Sequence, residues 1–550
     1  MGSLYIVVMQ YPLISEYFRA IQDASNNLDE LAHLVPVLDD HGEPYRSSGA
    51  FAVVFKMKDE QTGKCYALKC FTEEQEGRAE AYRQIADELE NVKSSYITSV
   101  RYLEKEIFVE SSCEEDEFPV LLMDWIDGET MEDYIAKNHK DKYSMIMLCS
   151  RFYNLAFWLR SQPFAHGDIK PDNIMICKGD KLTLIDYDGM FVPSMKGQKS
   201  PTIGTKDFSH PLRSIDDFDK TIDDFALATI LLSLHAMGQN PSLFELYGSE
   251  GRLLFANNDY LSPYSSIAFK SLKQYFQREN SHLAFLLFVR SCTEMLYGQV
   301  LDRFFAVMDV FFGKVLSSLF LLQTNTYIYD ELGVKYTSNG RILVSAPRNL
   351  TSYRVREGTT IIAEDAFLCC YELQKISLPE SLQVIGPSAF ACCLKLCEVC
   401  MPNSIFSVGK EAFWGCSSLE NVTLSDSMLK ISEETFLDCE KLKSISLPQS
   451  IMYIGDRAFE RCTGLENVSL PNNLVYIGEN AFRVCWYLTH ISLPGFLVEI
   501  GDLAFQMCEL ENIDVPDRVI FMGERVFFDC FDDNEEVKSK LEKLYGYEVL

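Results

Sequence analysis

The stretch HGDIKPDNIMICKGDKLTLIDYD, residues 166–188, brings Asp168, Lys170, Asn173 and Asp186 into one short span. A carboxylate and a carboxamide are hard oxygen ligands of the kind Mg²⁺ accepts together with phosphate and water. A further carboxylate can take a hydroxyl proton, and a lysine beside it offsets charge on a transferring phosphoryl group. Phosphoryl transfer is the chemistry these types and spacings point to.

A local fold must bring them together. The apolar runs IMI and LTLI flank KGDK, a hairpin signal. A turn centred between Gly179 and Asp180 sets Asn173 opposite Asp186 at the open end of the hairpin. Asp168 then lies on the loop leading in, with Lys170 beside it.

HGDIKPDN resembles the catalytic loop HRDLKxxN of protein kinases, and IDYDG resembles their DFG region. The resemblance implies Asp168 as the base, Lys170 as the lysine of serine/threonine-type loops, and Asn173 and Asp186 as metal ligands. SSGAFAVVFK (47–56) resembles the nucleotide loop GxGxxGxV, with Ser47, Gly49 and Ala52 at the glycine positions and Val54 at the valine. Lys69, ending CYALKCF, resembles the lysine that grips the α- and β-phosphates. Its carboxylate partner is expected in the Glu-rich segment 72–90: Glu80 first, with Glu76 and Glu88 as alternatives. FPVLLMDWIDGE resembles the strand and hinge that meet adenine, with Met123 as gatekeeper and Asp124 to Ile126 as hinge. DDFALATILLSL resembles a buried helix whose Asp223 braces the catalytic loop. Residues 12–320 thus resemble a bacterial branch of the eukaryotic-like serine/threonine kinases, an α+β bilobal fold using ATP and Mg²⁺.

Three departures stand out. Gly167 replaces the loop arginine that pairs with a phosphorylated activation segment, which implies a switch needing no such phosphate. Asp188 occupies the usual glycine position after Asp186, where it would limit flipping of that segment. HPLR (210–213) stands where APE is expected, leaving the peptide-docking segment undefined.

The second half repeats itself. Phenylalanine recurs at 367, 390, 413, 436, 459, 482, 505 and 527, each followed three residues later by cysteine. The unit LxxIxLPxxLxxIGxxAF at this period predicts a leucine-rich solenoid over 327–530, about eight coils of 23 residues, closed by a helix within 531–550. It resembles the BspA-like repeats of bacteria. Proline after each strand stops it, and the glycine of IG is expected to permit a turn. Residues flanking the central Ile point outward. One outward column is nearly uniform (Ser377, Cys400, Thr423, Ser446, Ser469, Ser492, Asp514) and the other varied (Lys375, Glu398, Asn421, Ser444, Asn467, His490, Asn512), a face for a protein substrate or regulator.

Composition limits the rest. A net charge of −30 argues against nucleic acid and anionic membranes as partners. No apolar run approaches the roughly 20 residues of a spanning helix. With no export signal in the sequence, a cytoplasmic setting is expected, and the 18 cysteines are read as reduced core packing. Cys397 and Cys400 have CxxC spacing, but zinc needs four ligands, normally from a second matching pair. The expected activity is an ATP-dependent serine/threonine protein kinase. A pseudokinase scaffold and a small-molecule phosphotransferase are the alternatives.

Overall fold

The structure, a computed structural model, describes residues 11–49, 51–73, 77–179, 181–294, 297–312, 326–517, 519–531 and 535–546. The chain divides into two compact units, one ending at Leu261 and one beginning at Ser262. The expected kinase-like span 12–320 crosses that division. No described helix is long and apolar enough to cross a membrane.

The first unit begins with a mainly antiparallel sheet. Ala52–Asp59, Cys65–Phe71, Glu117–Asp124 and Val100–Phe108 pair in that spatial order, extended at the other edge by Leu34–Pro36 and Arg46–Ser48. Alternation along Ala52–Asp59 sends Val53, Phe55 and Met57 into a core shared with Leu68 and Phe118. Tyr17 of the helix Ile14–Gln22 closes that core, and its hydroxyl donates to the Phe71 carbonyl at 2.8 Å. The helix Arg78–Leu89 buries Tyr82, Ile85 and Leu89. Beyond Glu117–Asp124 the unit turns helical. Asp224–Gln239 is apolar on nearly all sides and correspondingly buried, and it packs on Lys142–Arg160. A small sheet of Gly128–Thr130, Ile174–Cys177 and Leu182–Leu184 supports the catalytic loop.

In the second unit each coil of the solenoid contributes a short strand to a parallel ladder. Lys375 pairs with Glu398 and Glu398 with Asn421, one repeat apart, while Val384 pairs with Ser407 on a second ladder. The phenylalanines form a continuous stack: centroids lie 5.3 Å apart for Phe390–Phe413 and 5.4 Å for Phe436–Phe459, with planes within 12°. The cysteines do more than fill space. From Cys393 onward each thiol of the ladder donates to the carbonyl of a phenylalanine in the preceding coil, as from Cys416 to Phe390 at 3.2 Å and Cys462 to Phe436 at 3.1 Å, while Cys370 meets the Pro347 carbonyl. Burial pushes the Cys416 thiol up to about 12, so it stays protonated and can donate.

The repeat glycines act differently from the expectation. Gly386, Gly455 and Gly478 do not adopt positive φ. A Cβ on Gly455 would lie 2.6 Å from the Glu433 nitrogen of the preceding coil. Close approach of successive backbones, not a left-handed turn, requires glycine there.

The coils also present a column that the strand motif did not single out. Lys430, Tyr453, Tyr476, Glu499 and Phe521 are the leading residues of the second ladder. Along it lies the almost wholly buried helix Glu279–Ser291. Glu279 pairs with Lys430, and His282 meets Glu499 at 3.0 Å and the Tyr476 ring at 4.8 Å. Lys273 reaches Glu499 at 2.5 Å, and Arg290 donates to the Gly495 carbonyl at 3.2 Å. At the far end the helix Glu535–Tyr545 buries Leu541 in the solenoid core.

Candidate active site

The loop that carries Asp168 is fixed from below. The Asp223 carboxylate accepts the backbone N–H groups of His166 at 2.5 Å and Gly167 at 2.8 Å, the bracing expected of it. Burial drives the Asp223 carboxyl upward, working against these bonds and the nearby His166. Gly167 has φ of 85°, and a Cβ on it would lie 1.8 Å from the Gly189 carbonyl oxygen. No arginine fits at that position. A cation arrives from the other side instead: Arg213, in HPLR, donates to the carbonyls of Gly167 and Thr202, each at 3.4 Å. The segment that lacks APE is thereby tied to the catalytic loop.

Asp168 sits at the centre of the loop's contacts. Its carboxylate accepts the Thr205 N–H at 3.0 Å and hydroxyl at 3.2 Å, and the Asn173 amide at 3.2 Å. Lys170 Nζ lies 3.6 Å from the same carboxylate. The hairpin that follows is one residue out of the expected register. Ile174 pairs with Leu184 and Ile176 with Leu182, so the strand opposite Asn173 holds Ile185, whose N–H donates to the Asn173 carbonyl at 3.0 Å. The turn centres on Gly179, at φ 75°, rather than between Gly179 and Asp180, the latter lying outside the described residues. Asp186 therefore falls one position beyond the pair and adopts φ of 65°, a left-handed conformation rare for a non-glycine residue and frequent at functional sites.

Lys69 carries the largest correction. It is buried in the sheet, and its ammonium meets Asp186 at 2.8 Å and Asp188 at 2.7 Å. Burial acts to lower the lysine pKa, but the two carboxylates together carry it above its ordinary value. Asp186 shows the complementary balance: burial acts upward, and Lys69 outweighs it and holds the carboxyl below the usual range. Glu80 does not take part. Its exposed carboxylate is spent on Arg83 and Gln84 of its own helix. Glu76 lies outside the described residues. The same helix contributes Tyr82, whose hydroxyl donates to Asp188. A carboxylate in the segment after the hairpin has replaced the expected helix carboxylate, and the helix holds it through a phenol. Asp188 and Tyr82 also line a cavity of about 180 Å³ with Met190, Met195 and Phe218.

The nucleotide loop and hinge follow the sheet. Ser47 pairs with Val54, and Val54 with Lys69 on the next strand. Gly49 donates to the Ala52 carbonyl at 2.9 Å, closing the turn, and Ala52 is buried. Met123 pairs with Ala67. Asp124, which ends its strand opposite Tyr66, has its carboxylate tied to Lys64 at 2.8 Å and to the Ser99 hydroxyl at 3.1 Å, with Ile126 two residues further on.

The sequence offered signals for some of what was missed. Asp188 is a second acid in DYD, and the repeated charge was visible; Tyr82 has no signal apart from its helix position. Thr205 and Arg213 lie in a segment whose motif is altered, so only their contacts with Asp168 and Gly167 identify them.

Comparison with known families agrees with this architecture. The family model for the protein kinase domain matches residues 47–245. That for the BspA type leucine rich repeat region matches in 6 copies over 345–431 and 407–532. This chain joins a protein kinase domain to BspA-type leucine-rich repeats. Aurora kinase of Yarrowia lipolytica is 25% identical over 187 residues, 33% of this chain and 48% of that protein. Serine/threonine-protein kinase MRCK beta of Rattus norvegicus is 27% identical over 220 residues, 36% of this chain and 12% of that protein. The chain thus spans about half or less of these curated relatives. Among solved structures, a leucine-rich repeat protein of Eubacterium ventriosum is 23% identical with a TM-score of 0.32, covering 35% of this chain and 51% of its own. The T. pallidum leucine rich repeat protein is 24% identical with a TM-score of 0.30, covering 40% of this chain and 92% of its own.

Proposed function

We propose that the chain is a serine/threonine protein kinase that transfers the ATP γ-phosphoryl group to a protein hydroxyl, with the solenoid recruiting or regulating the substrate. The observation that carries this reading is the buried Lys69 facing two carboxylates, Asp186 and Asp188, across from a loop that fixes Asp168. Two acids against one lysine leave negative charge for a divalent cation, and Asp186 and Asn173 supply the hard oxygens that would hold Mg²⁺. Bound Mg²⁺ and ATP supply the phosphoryl group and the positive charge that offsets its oxygens. The protein's own part is positioning. Lys69 would offer its ammonium to the nucleotide phosphates, with Asp188 beside it as counter-charge and Asp186 as the carboxylate that would hold the metal. Tyr82 keeps Asp188 in place. Asp168, held by Thr205, orients the substrate hydroxyl and takes its proton, while Lys170 balances charge beside it. Tethering a substrate on the solenoid would raise its local concentration and offset a docking segment without APE.

A scaffold that binds nucleotide without catalysis is the second reading. It is favoured by Ser47 and Ala52 at the glycine positions of the nucleotide loop. Incubation of the full chain with γ-labelled ATP and Mg²⁺ separates the two. Transfer of label by the wild type and its loss in Asp186→Asn supports catalysis; nucleotide binding with no transfer to any protein supports the scaffold.

A further inference from the structure

The chain is strongly acidic, yet its solenoid opens with a cluster of cations. The parallel strands Ser352–Arg354 and Lys375–Ser377 pair with Ser352 beside Lys375 and Arg354 beside Ser377. Tyr353 and Ile376 point into the core, so all four flanking side chains stand on the outward face. Arg356 continues that face beyond the buried Val355, its guanidinium 4.8 Å from the centre of the Tyr336 ring. These side chains line a cavity of about 600 Å³ whose rim is the turn Asp330–Leu332.

Of the acids at the pocket, Glu331 stands exposed on the rim, opposite the cations, and Asp330 is occupied. Asp330 accepts the N–H groups of Leu332 at 3.0 Å and Val334 at 2.8 Å, and the Tyr353 hydroxyl at 2.6 Å. Glu398 follows Lys375 on the next strand but accepts from the Cys400 thiol at 3.8 Å. Among the described residues Arg354 and Lys375 form no ion pair and no side-chain hydrogen bond. In the coils beyond, the same two columns hold Glu398, Asn421, Ser444 and Asn467 beside Cys400, Thr423, Ser446 and Ser469. In these two columns the positive charge is therefore confined to the first coils; Glu398 and Cys400 follow it, and from Asn421 to Ser469 the track is neutral and bears hydroxyls and amides.

We propose that this pocket binds a phosphoserine or phosphothreonine carried on an extended peptide. Two guanidinium groups, an ammonium and two hydroxyls suit a tetrahedral dianion, which accepts charge-assisted hydrogen bonds from several directions at once. The cavity is far larger than one phosphate, so the group arrives on a carrier. The polar track beyond it suits the backbone of an extended chain. The choice of a phosphorylated side chain fits the kinase reading, but the pocket's anion chemistry does not depend on it.

The test uses the full chain and a fluorescent peptide library with fixed central phosphoserine, beside matched libraries with Ser or Glu at the centre. The expected result is about tenfold tighter binding of the phosphoserine library, lost in Arg354→Ala/Lys375→Ala with an unchanged thermal midpoint. Glu398→Gln should tighten it, because a neighbouring negative charge is removed. Asp186→Asn should leave it unchanged, so a dead cleft and a dead pocket are read separately. Equal affinity for the Ser and phosphoserine libraries, or indifference to the double substitution, overturns the proposal. So does a pocket that binds inorganic phosphate while ignoring the peptide libraries.

Discussion

The solenoid and the catalytic cleft are stabilised by contacts of opposite kinds. In the solenoid each contact is made again one coil later: cysteine after cysteine reaches a phenylalanine carbonyl 26 residues back. In the cleft each contact is made once, between distant segments: Lys69 meets Asp186 and Asp188 across intervals of 117 and 119 residues. A repeated contact constrains every coil to the same residue type at the same place. A single contact constrains only the charge that arrives. The cleft could therefore move the partner of Lys69 from a helix to the DYD segment, whereas the solenoid could not move its phenylalanines without breaking the stack.

Perturbations graded by size sharpen that contrast. Phe436→Ala removes a ring stacked between Phe413 and Phe459 and should cost about 3–5 kcal/mol, read as a lowered denaturant midpoint for the second unit. Glu499→Gln should cost about 2–3 kcal/mol near neutral pH, because His282 and Lys273 lose a buried counter-charge. Burial raises the Glu499 carboxyl, but His282 and Lys273 outweigh it and hold it below its ordinary range. Its contribution is therefore present above the unfolded pKa of about 4.3 and is lost as pH falls through the folded value. Wild type and variant should converge in acid. The smallest effect is expected at Glu132, where a hydrogen bond with Asp172, followed by burial, pushes the carboxyl from 4.5 up to about 7. A raised acid destabilises as pH climbs from the unfolded to the folded pKa. Glu132→Gln should then raise the unfolding free energy at pH 8, by less than about 1 kcal/mol, and change little at pH 5, read from denaturant melts at the two pH values.

The sequence made the repeat architecture legible down to single columns, because a fixed period samples each position many times. The alternation of the outward columns is as read from Lys375 and Ser377 through Asn467 and Ser469, but the next coil keeps only a single bridge at His490 and the strand is not formed at Asn512–Asp514. It did not expose the helix-bearing column from Lys430 to Phe521, since those residues vary and the strand motif drew the eye to the other ladder. In the kinase domain the catalytic loop motif placed Asp168, Lys170 and Asn173 in mutual contact. The hairpin register slipped by one because a turn centred on Gly179 and one centred beside it have the same residues to offer. Gly167 looked like a lost arginine. Its φ and its approach to Gly189 make it a requirement of the loop's path. The Glu80 assignment failed for a physical reason: a helix can present a phenol to a carboxylate on another segment as well as a carboxylate to the lysine itself.

The most direct measurement is the rate of γ-phosphoryl transfer by Asp188→Asn and Glu80→Gln, assayed side by side at saturating Mg²⁺. If Asp188 is the standing counter-charge of Lys69, its neutralisation should lower the rate by about a hundredfold or more, while Glu80→Gln remains at wild-type rate. A Glu80 variant as impaired as the Asp188 variant, or an Asp188 variant as fast as wild type, would contradict the account.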